Sequence, residues 1–330
     1  MTTDAPELPP SRSLWGRRRS PGRFLGSSEK SRGCTGRLMR AHRATSCPRG
    51  RGAGLRSDMT SRSESLDVDR SDPTPVQVRE REFYNSYSQL RRFDAVDFGP
   101  ILGRERRPWN SYWETFRLVQ QRFRPGMRLL DFGCGWGVNT VVYARIGYQV
   151  DGFDIAEGNV EAAREIAERY DLSERVTIAR QAAERLNYPD KSFDVVAGID
   201  ILHHVDVPAA IAECRRVLKP GGLAVFREPL RNRFFDGVRN TRLVRRVLSN
   251  EPSLDRHITD DEHKLGPDEL AAIRRAFPTT TVHRFQVLSR AAALWKSSEM
   301  AWEKFDYALR RVPGYLQLAG GAVIEVHKEG

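Results

Sequence analysis

The sequence predicts an α/β fold, a mostly parallel sheet with helices on both faces. Three observations predict it. Between residues 128 and 227, short apolar runs alternate with helical periods, the order that parallel strands joined by crossover helices produce. Two of these runs bracket a short helix and a glycine turn at Gly133, Gly135 and Gly137. Residues 193–199 are nearly continuously apolar, as a central strand buried on both faces should be.

Ordered structure is expected from Val76. Residues 80–93 carry Phe83, Tyr84, Tyr87 and Leu90 at helical spacing, and 109–123 carry Tyr112, Phe116, Val119 and Phe123 on one face before Pro125-Gly126 stops them. Strands follow at 128–132, 149–153, 175–179, 193–199 and 223–227. The helices between them are 138–146, 157–170 with Val160, Ala163, Ala167 and Tyr170 facing in, and 207–218. Asp206 is a fitting N-cap for the last, with Pro208 in its first turn. Beyond Glu228 the alternation lapses into a basic helical stretch, 231–248, and an acidic one, 251–263. It resumes with a helix at 267–277, a strand at 280–288, a helix at 300–312 bearing Trp302, Phe305, Leu309 and Val312 on one stripe, and a strand at 322–327.

The 330-residue chain is long enough to bury a substantial core. No apolar run is long enough to span a bilayer. Cys34, Cys47, Cys134 and Cys214 lack metal-ligand spacing and fit a reduced, cytoplasmic compartment. The net charge of +11 is concentrated in residues 1–57, which hold 12 Arg and one Lys against Asp4, Glu7 and Glu29. The remaining chain nets +1, so the body has no overall pull toward nucleic acid. Residues 1–75 are rich in Arg, Ser, Gly and Pro and are expected to be disordered. They read as a nucleic-acid or membrane-surface tail, an organelle transit peptide, or a tail without function or upstream extension with Met59 as the true start; the last is favoured.

The glycine turn sets the ligand class. Glycine lets the backbone turn sharply and lets a ligand approach closely. The second strand ends near Asp154, 19 residues beyond Gly135, where a carboxylate can accept both hydroxyls of a ribose. A dinucleotide site reads G-x-G-x-x-G and aims a helix at a pyrophosphate. Here the spacing is G-x-G-x-G, and Asp131 precedes it, which would repel a pyrophosphate and suit a ligand carrying an ammonium and a sulfonium. An NAD-binding Rossmann-like domain is the alternative.

On these residues the chain resembles the class I S-adenosylmethionine-dependent methyltransferases, whose first motif has the acid-x-G-x-G-x-G form. Phe193-Asp194-Val195-Val196, Leu202-His203-His204-Val205 and Arg216-Val217-Leu218-Lys219-Pro220-Gly221-Gly222 resemble the family's fourth strand, the loop after it and the turn into its fifth strand. The resemblance runs from Val76 to the C-terminus and is strongest over 127–227. It implies a Rossmann-like, seven-stranded sheet with its last strand antiparallel, helices at 76–126 closing over the cofactor, a cofactor-binding core to 228, a substrate cap at 229–266, and the rest of the sheet at 267–330. It implies S-adenosyl-L-methionine as cofactor. Gly133, Gly135 and Gly137 would pass its methionine portion and Asp131 would support the amino end. Asp154 would hold the ribose, Ile155 would pack on the adenine, the Ala183 backbone would donate to the ring, and Glu184 and Asp200 would complete the cofactor wall. The family's adenine-binding acid is replaced by Ala182, which puts that contact in doubt.

Methyl transfer from a sulfonium needs positioning and the exclusion of water, and a base only where the acceptor must lose a proton. His203 and His204, after strand four, are the candidate bases, and Glu228, after strand five, faces the same cleft in the expected topology. Asp200, His203 and His204 also have the spacing of a metal site in some quinone-pathway O-methyltransferases. Paired histidines after strand four are widespread in the fold without metal, so none is expected. Tyr84 or Tyr87 could line the site. His257, Asp260, Asp261, Glu262 and His263 form a second polar cluster in the cap. The reading is an enzyme moving a methyl group to O, N or C of a small molecule, with no nucleic-acid partner. A macromolecule methyltransferase and a non-catalytic nucleoside-binding module are its rivals.

Overall fold

The computed structural model describes residues 73–88, 106–232, 264–289 and 299–330. The expectations for the tail before residue 73, for 89–93, for the stretch 233–263 with His257, Asp260, Asp261, Glu262 and His263, and for the Tyr87 side chain lie outside what it describes.

Two helices precede the sheet, α1 (Pro75–Ser88) and α2 (Ser111–Arg122). The alternating part runs β1 (Arg128–Phe132), α3 (Val138–Ile146), β2 (Gln149–Asp154), α4 (Glu157–Arg169), β3 (Val176–Arg180), β4 (Phe193–Ile199), α5 (Val207–Val217) and β5 (Leu218–Pro229). It closes with α6 (Pro267–Ala276), β6 (Thr280–Phe285), α7 (Glu299–Leu309) and β7 (Gly321–His327). The seven strands form one sheet in the order β3-β2-β1-β4-β5-β7-β6. β1 to β5 pair in parallel, and β7 is antiparallel to both β5 and β6. The order reverses between β1 and β4, which opens a crevice beyond their C-terminal ends, where open α/β sheets bind ligands.

Strand alternation explains the two-layered core. Leu130, Val196, Phe226 and Ile324 point to one face, packed with Ile211 and Cys214 of α5 and Leu270 and Ile273 of α6. Their chain neighbours Leu129, Val195, Val225 and Val323 point to the other, packed with Phe116 and Val119 of α2 and Val141 and Tyr143 of α3. With both faces covered, these strands cannot show the apolar–polar alternation of a half-exposed sheet.

Two helices differ from expectation. α1 begins at Pro75, five residues before the predicted start. Thr74 and Gln77 form a reciprocal cap: Gln77 N donates to Thr74 Oγ1 at 3.3 Å, and Thr74 N donates to Gln77 Oε1 at 2.9 Å. Pro75 fits the first helical position, where a missing N–H costs nothing. In α7 the aromatic stripe is not buried: Phe305 is 49 % exposed, and beyond the helix so is half of Val312. The acidic pair Glu303 and Asp306, beside that stripe, is buried. Asp306 accepts from the backbone N–H groups of Val287, Leu288 and Ser289 and from the Tyr315 hydroxyl, and Glu303 accepts from the Asn110 amide.

Candidate active site

The glycine turn leaves β1 and enters α3. Gly135 (φ +50°) has open space where a Cβ would stand, and its N–H donates to Asp154 Oδ2 at 3.1 Å. Gly137 (φ +79°) does not face the crevice as predicted. A Cβ there would meet the Ala163 backbone at 2.8 Å, so this glycine lets α3 and α4 pack closely.

Asp154, at the tip of β2, accepts from Gly135 N, from Ala156 N at 2.9 Å and from Asn159 Nδ2 at 3.0 Å. Burial pushes its carboxyl above the usual range, and these three donors oppose the rise. Asn159, in the first turn of α4, was not predicted. Its amide nitrogen must face Asp154, since a carboxylate accepts only from a donor, and this leaves its buried Oδ1 without a hydrogen-bond partner on the crevice wall.

Asp131 is placed differently from the prediction that it supports the ligand's amino end. It is buried at the root of the turn, off the crevice wall, and accepts from the Thr140 hydroxyl at 2.5 Å. Burial raises its pKa to about 7.

Asp200 follows β4 with φ +56° and lines the crevice. It is ion-paired with Arg227 of β5 and accepts from the Tyr112 hydroxyl at 3.2 Å. The Arg227 guanidinium lies 4.3 Å from the centre of the Tyr112 ring, which ties α2 to the strand ends.

The two histidines separate in role. His203 is 4 % exposed, and its Nδ1 lies 2.7 Å from Glu228 Oε2. Glu228 is completely buried and accepts from Ile201 N and Leu202 N through its other oxygen. Neither lines the crevice, which corrects the prediction that both are candidates for catalysis; together they fix the loop that carries His204. His204 does line it, its ring 4.0 Å from that of His203. His204 Nε2 is 3.2 Å from the Tyr84 hydroxyl of α1, and Nδ1 is 3.3 Å from Glu80 Oε2, within ion-pair distance though without hydrogen-bond alignment.

Among the described residues, the trio with mutually close ligand atoms is Asp200, His203 and Glu228, not Asp200, His203 and His204. A divalent ion there would have to compete with Arg227 for Asp200 and with the contact between His203 Nδ1 and Glu228 Oε2.

Gln77, Glu80 and Tyr84 of α1 line the crevice together with Gly133, Gly135, Ile155, Ala183 and Glu184. Glu184, half-buried in the turn after β3, accepts from Gln77 Nε2 at 2.9 Å and from Asp206 N at 3.1 Å. The crevice holds about 720 Å³, its open mouth included. S-adenosylmethionine fits this wall on two counts. The bare face of Gly135 leaves room for a ligand beside the turn, and the orphaned Asn159 oxygen stands beside the Asp154 carboxylate where ribose hydroxyls would donate. The missing acid at Ala182 is not supplied by a neighbour of the same charge, because the adjoining wall positions are Gln181 and Ala183.

Comparison with known proteins agrees with this geometry. Residues 130–226 match the family model described as a methyltransferase domain. Over 101 residues, 30 % of this chain, the sequence is 41 % identical to a ubiquinone biosynthesis O-methyltransferase of Roseobacter denitrificans, covering 40 % of that protein. Over the same length it is 43 % identical to the 27-O-demethylrifamycin SV methyltransferase of Amycolatopsis mediterranei, covering 37 % of it. The chain thus spans about two fifths of the length of the curated relatives it matches. Its fold is also that of a geranyl diphosphate C-methyltransferase from Streptomyces coelicolor A3(2), at a TM-score of 0.51 and 15 % identity over 78 % of this chain and all of that one. The fold and the matched segment are those of a class I, S-adenosylmethionine-dependent methyltransferase. Within that class, the curated relatives of the segment carry the names of small-molecule O-methyltransferases. No helix among the described residues is long and apolar enough to cross a membrane.

Proposed function

We propose that this chain is an enzyme that moves a methyl group from S-adenosylmethionine to a hydroxyl oxygen of a small molecule. The observation that carries the reading is the placing of His204 in the same crevice as Gly135 and Asp154. The matched segment's O-methyltransferase relatives support oxygen as acceptor over nitrogen or carbon. We further propose that 76–330 acts as one methyltransferase domain, with 229–266 as its substrate cap, working in the cytoplasm without a nucleic-acid partner.

When bound, S-adenosylmethionine supplies a methyl carbon activated by a positive sulfur. Asp154 and Asn159 hold the sugar hydroxyls, and the Gly135 face lets the methionine end pass. Ile155 and Ala183 flank the base, and Glu184, fixed by Gln77 and Asp206, closes that end of the wall. His204 Nε2 takes the acceptor's proton as its oxygen attacks. An imidazole is suited to this near neutral pH, and such a base contributes on the order of 10²–10⁴ in rate. Glu228 and His203 act through the loop as positioning residues.

Incubation with isotopically labelled methyl donor and hydroxylated small molecules from a cell extract, followed by mass spectrometry, tests the reading. Label in an ether or ester product that is lost with His204→Gln supports it. Label in RNA or protein, or none in any fraction from folded protein, overturns it.

A further inference from the structure

Glu80 and Tyr84 stand four residues apart on α1, so they share one helix face. That face meets His204 at both ring nitrogens. Glu80 Oε2 is 3.3 Å from Nδ1, and the Tyr84 hydroxyl is 3.2 Å from Nε2. The Glu80 carboxylate is not aligned to accept a hydrogen bond, but its charge 3.3 Å from Nδ1 electrostatically favours the tautomer with its proton there, which leaves Nε2 as the basic nitrogen. Nε2 thus accepts, and the hydroxyl that donates to it belongs to the protein's own phenol. The Tyr84 and His204 rings meet edge to face, their centroids 5.7 Å apart at 87°.

A base must come within hydrogen-bond reach of the proton it removes, about 2.6–3.2 Å. Tyr84 already fills that reach at the basic nitrogen, so an acceptor hydroxyl and the Tyr84 hydroxyl cannot both bond it. Two contacts hold α1 independently of Tyr84. Gln77 donates to Glu184 near its start, and Asn85 accepts from Gly158 N beyond Tyr84. The helix can therefore stay docked while the one side chain swings away.

We propose that Tyr84 is a built-in stand-in for the acceptor: the crevice takes an aromatic hydroxyl, which binds His204 Nε2 by displacing the Tyr84 phenol. Glu80 is the positioning residue that turns the basic nitrogen toward that seat. The inference rests on the hydroxyl-methylation reading of the same crevice. It makes Tyr84 a competitor of the acceptor, not a part of the proton path.

The test uses 4-methylphenol, the tyrosine side chain as a free molecule, titrated by calorimetry into the full chain without methyl donor. Removing a self-ligand that fills the site about nine-tenths of the time raises apparent affinity about tenfold. Tyr84→Phe, which keeps the ring and loses the hydroxyl, is expected to bind 4-methylphenol about tenfold tighter than the unaltered protein. Toluene, which lacks the hydroxyl, is expected to show no such gain, and His204→Gln is expected to abolish the 4-methylphenol signal. Tyr84→Leu replaces Tyr84→Phe should the latter not fold by thermal melt. Equal or weaker binding in the folded Tyr84 variant overturns the proposal, as does an equal gain for toluene. S-adenosylhomocysteine is titrated separately: an unaltered protein that fails to bind it defeats the methyltransferase reading, whereas the 4-methylphenol comparison stands or falls by itself.

Discussion

Asp131 and Asp154 are both carboxylates near the glycine turn, and their surroundings divide their work. Asp154 meets three N–H donors on the crevice wall, whereas Asp131 is sealed behind the turn with one hydroxyl. Burial raises the folded pKa of Asp131 to about 7, above the roughly 3.9 of an unfolded aspartate. Between those values the folded protein holds a proton that the unfolded chain has released, so this residue's contribution to stability falls as pH rises. The slope lies between about pH 4 and pH 7 and levels off above. Asp131→Asn carries no such charge. Thermal melts across that window are expected to show a midpoint that falls less steeply with pH for Asp131→Asn than for the unaltered protein. Parallel curves would show that Asp131 titrates as an ordinary surface acid.

At the scale of elements, α7 shows how an amphipathic pattern can mislead. Its aromatic stripe looks like a core face, yet the buried side is the one with Glu303 and Asp306. Asp306 closes the turn after β6 by accepting three consecutive backbone N–H groups. Asp306→Ala leaves those donors unsatisfied, at about 1–3 kcal/mol for a buried group, and should lower the melting midpoint by several degrees. Phe305→Ser, on the exposed side, should change stability by no more than about 0.5 kcal/mol. Chemical denaturation of both variants checks the pair, and the reverse order would put the aromatic side inward. The strands were more legible. β1, α3 and β4 have their predicted limits: β1 ends before Gly133, α3 lies between Gly137 and Gly147, and β4 lies between Ser192 and Asp200. The start of α1 was legible in principle, since Thr74 to Gln77 spells a reciprocal cap before a proline-led turn. The partners of Glu184 and His204 were not, because they come from segments far apart in the chain. Gln77 and Glu184 are separated by 107 residues, Tyr84 and His204 by 120.

For the whole molecule, the site follows from sheet order. The reversal between β1 and β4 opens the crevice, the turn after β1 and the loop after β4 form its two walls, and α1 closes it from the side. The sequence showed the walls, because glycine spacing and paired histidines are local signals. It showed α1 only as a helix, because docking is not. The central claim is that this crevice binds a sulfonium nucleoside through Asp154. Calorimetry of the folded chain with S-adenosylmethionine, S-adenosylhomocysteine and NAD tests it most directly. Both methyl-cycle nucleosides are expected to bind, NAD is not, and Asp154→Ala should weaken binding by roughly 10- to 100-fold, the worth of one or two charge-assisted hydrogen bonds. Binding of NAD without either nucleoside, or nucleoside binding unchanged by Asp154→Ala, would contradict it.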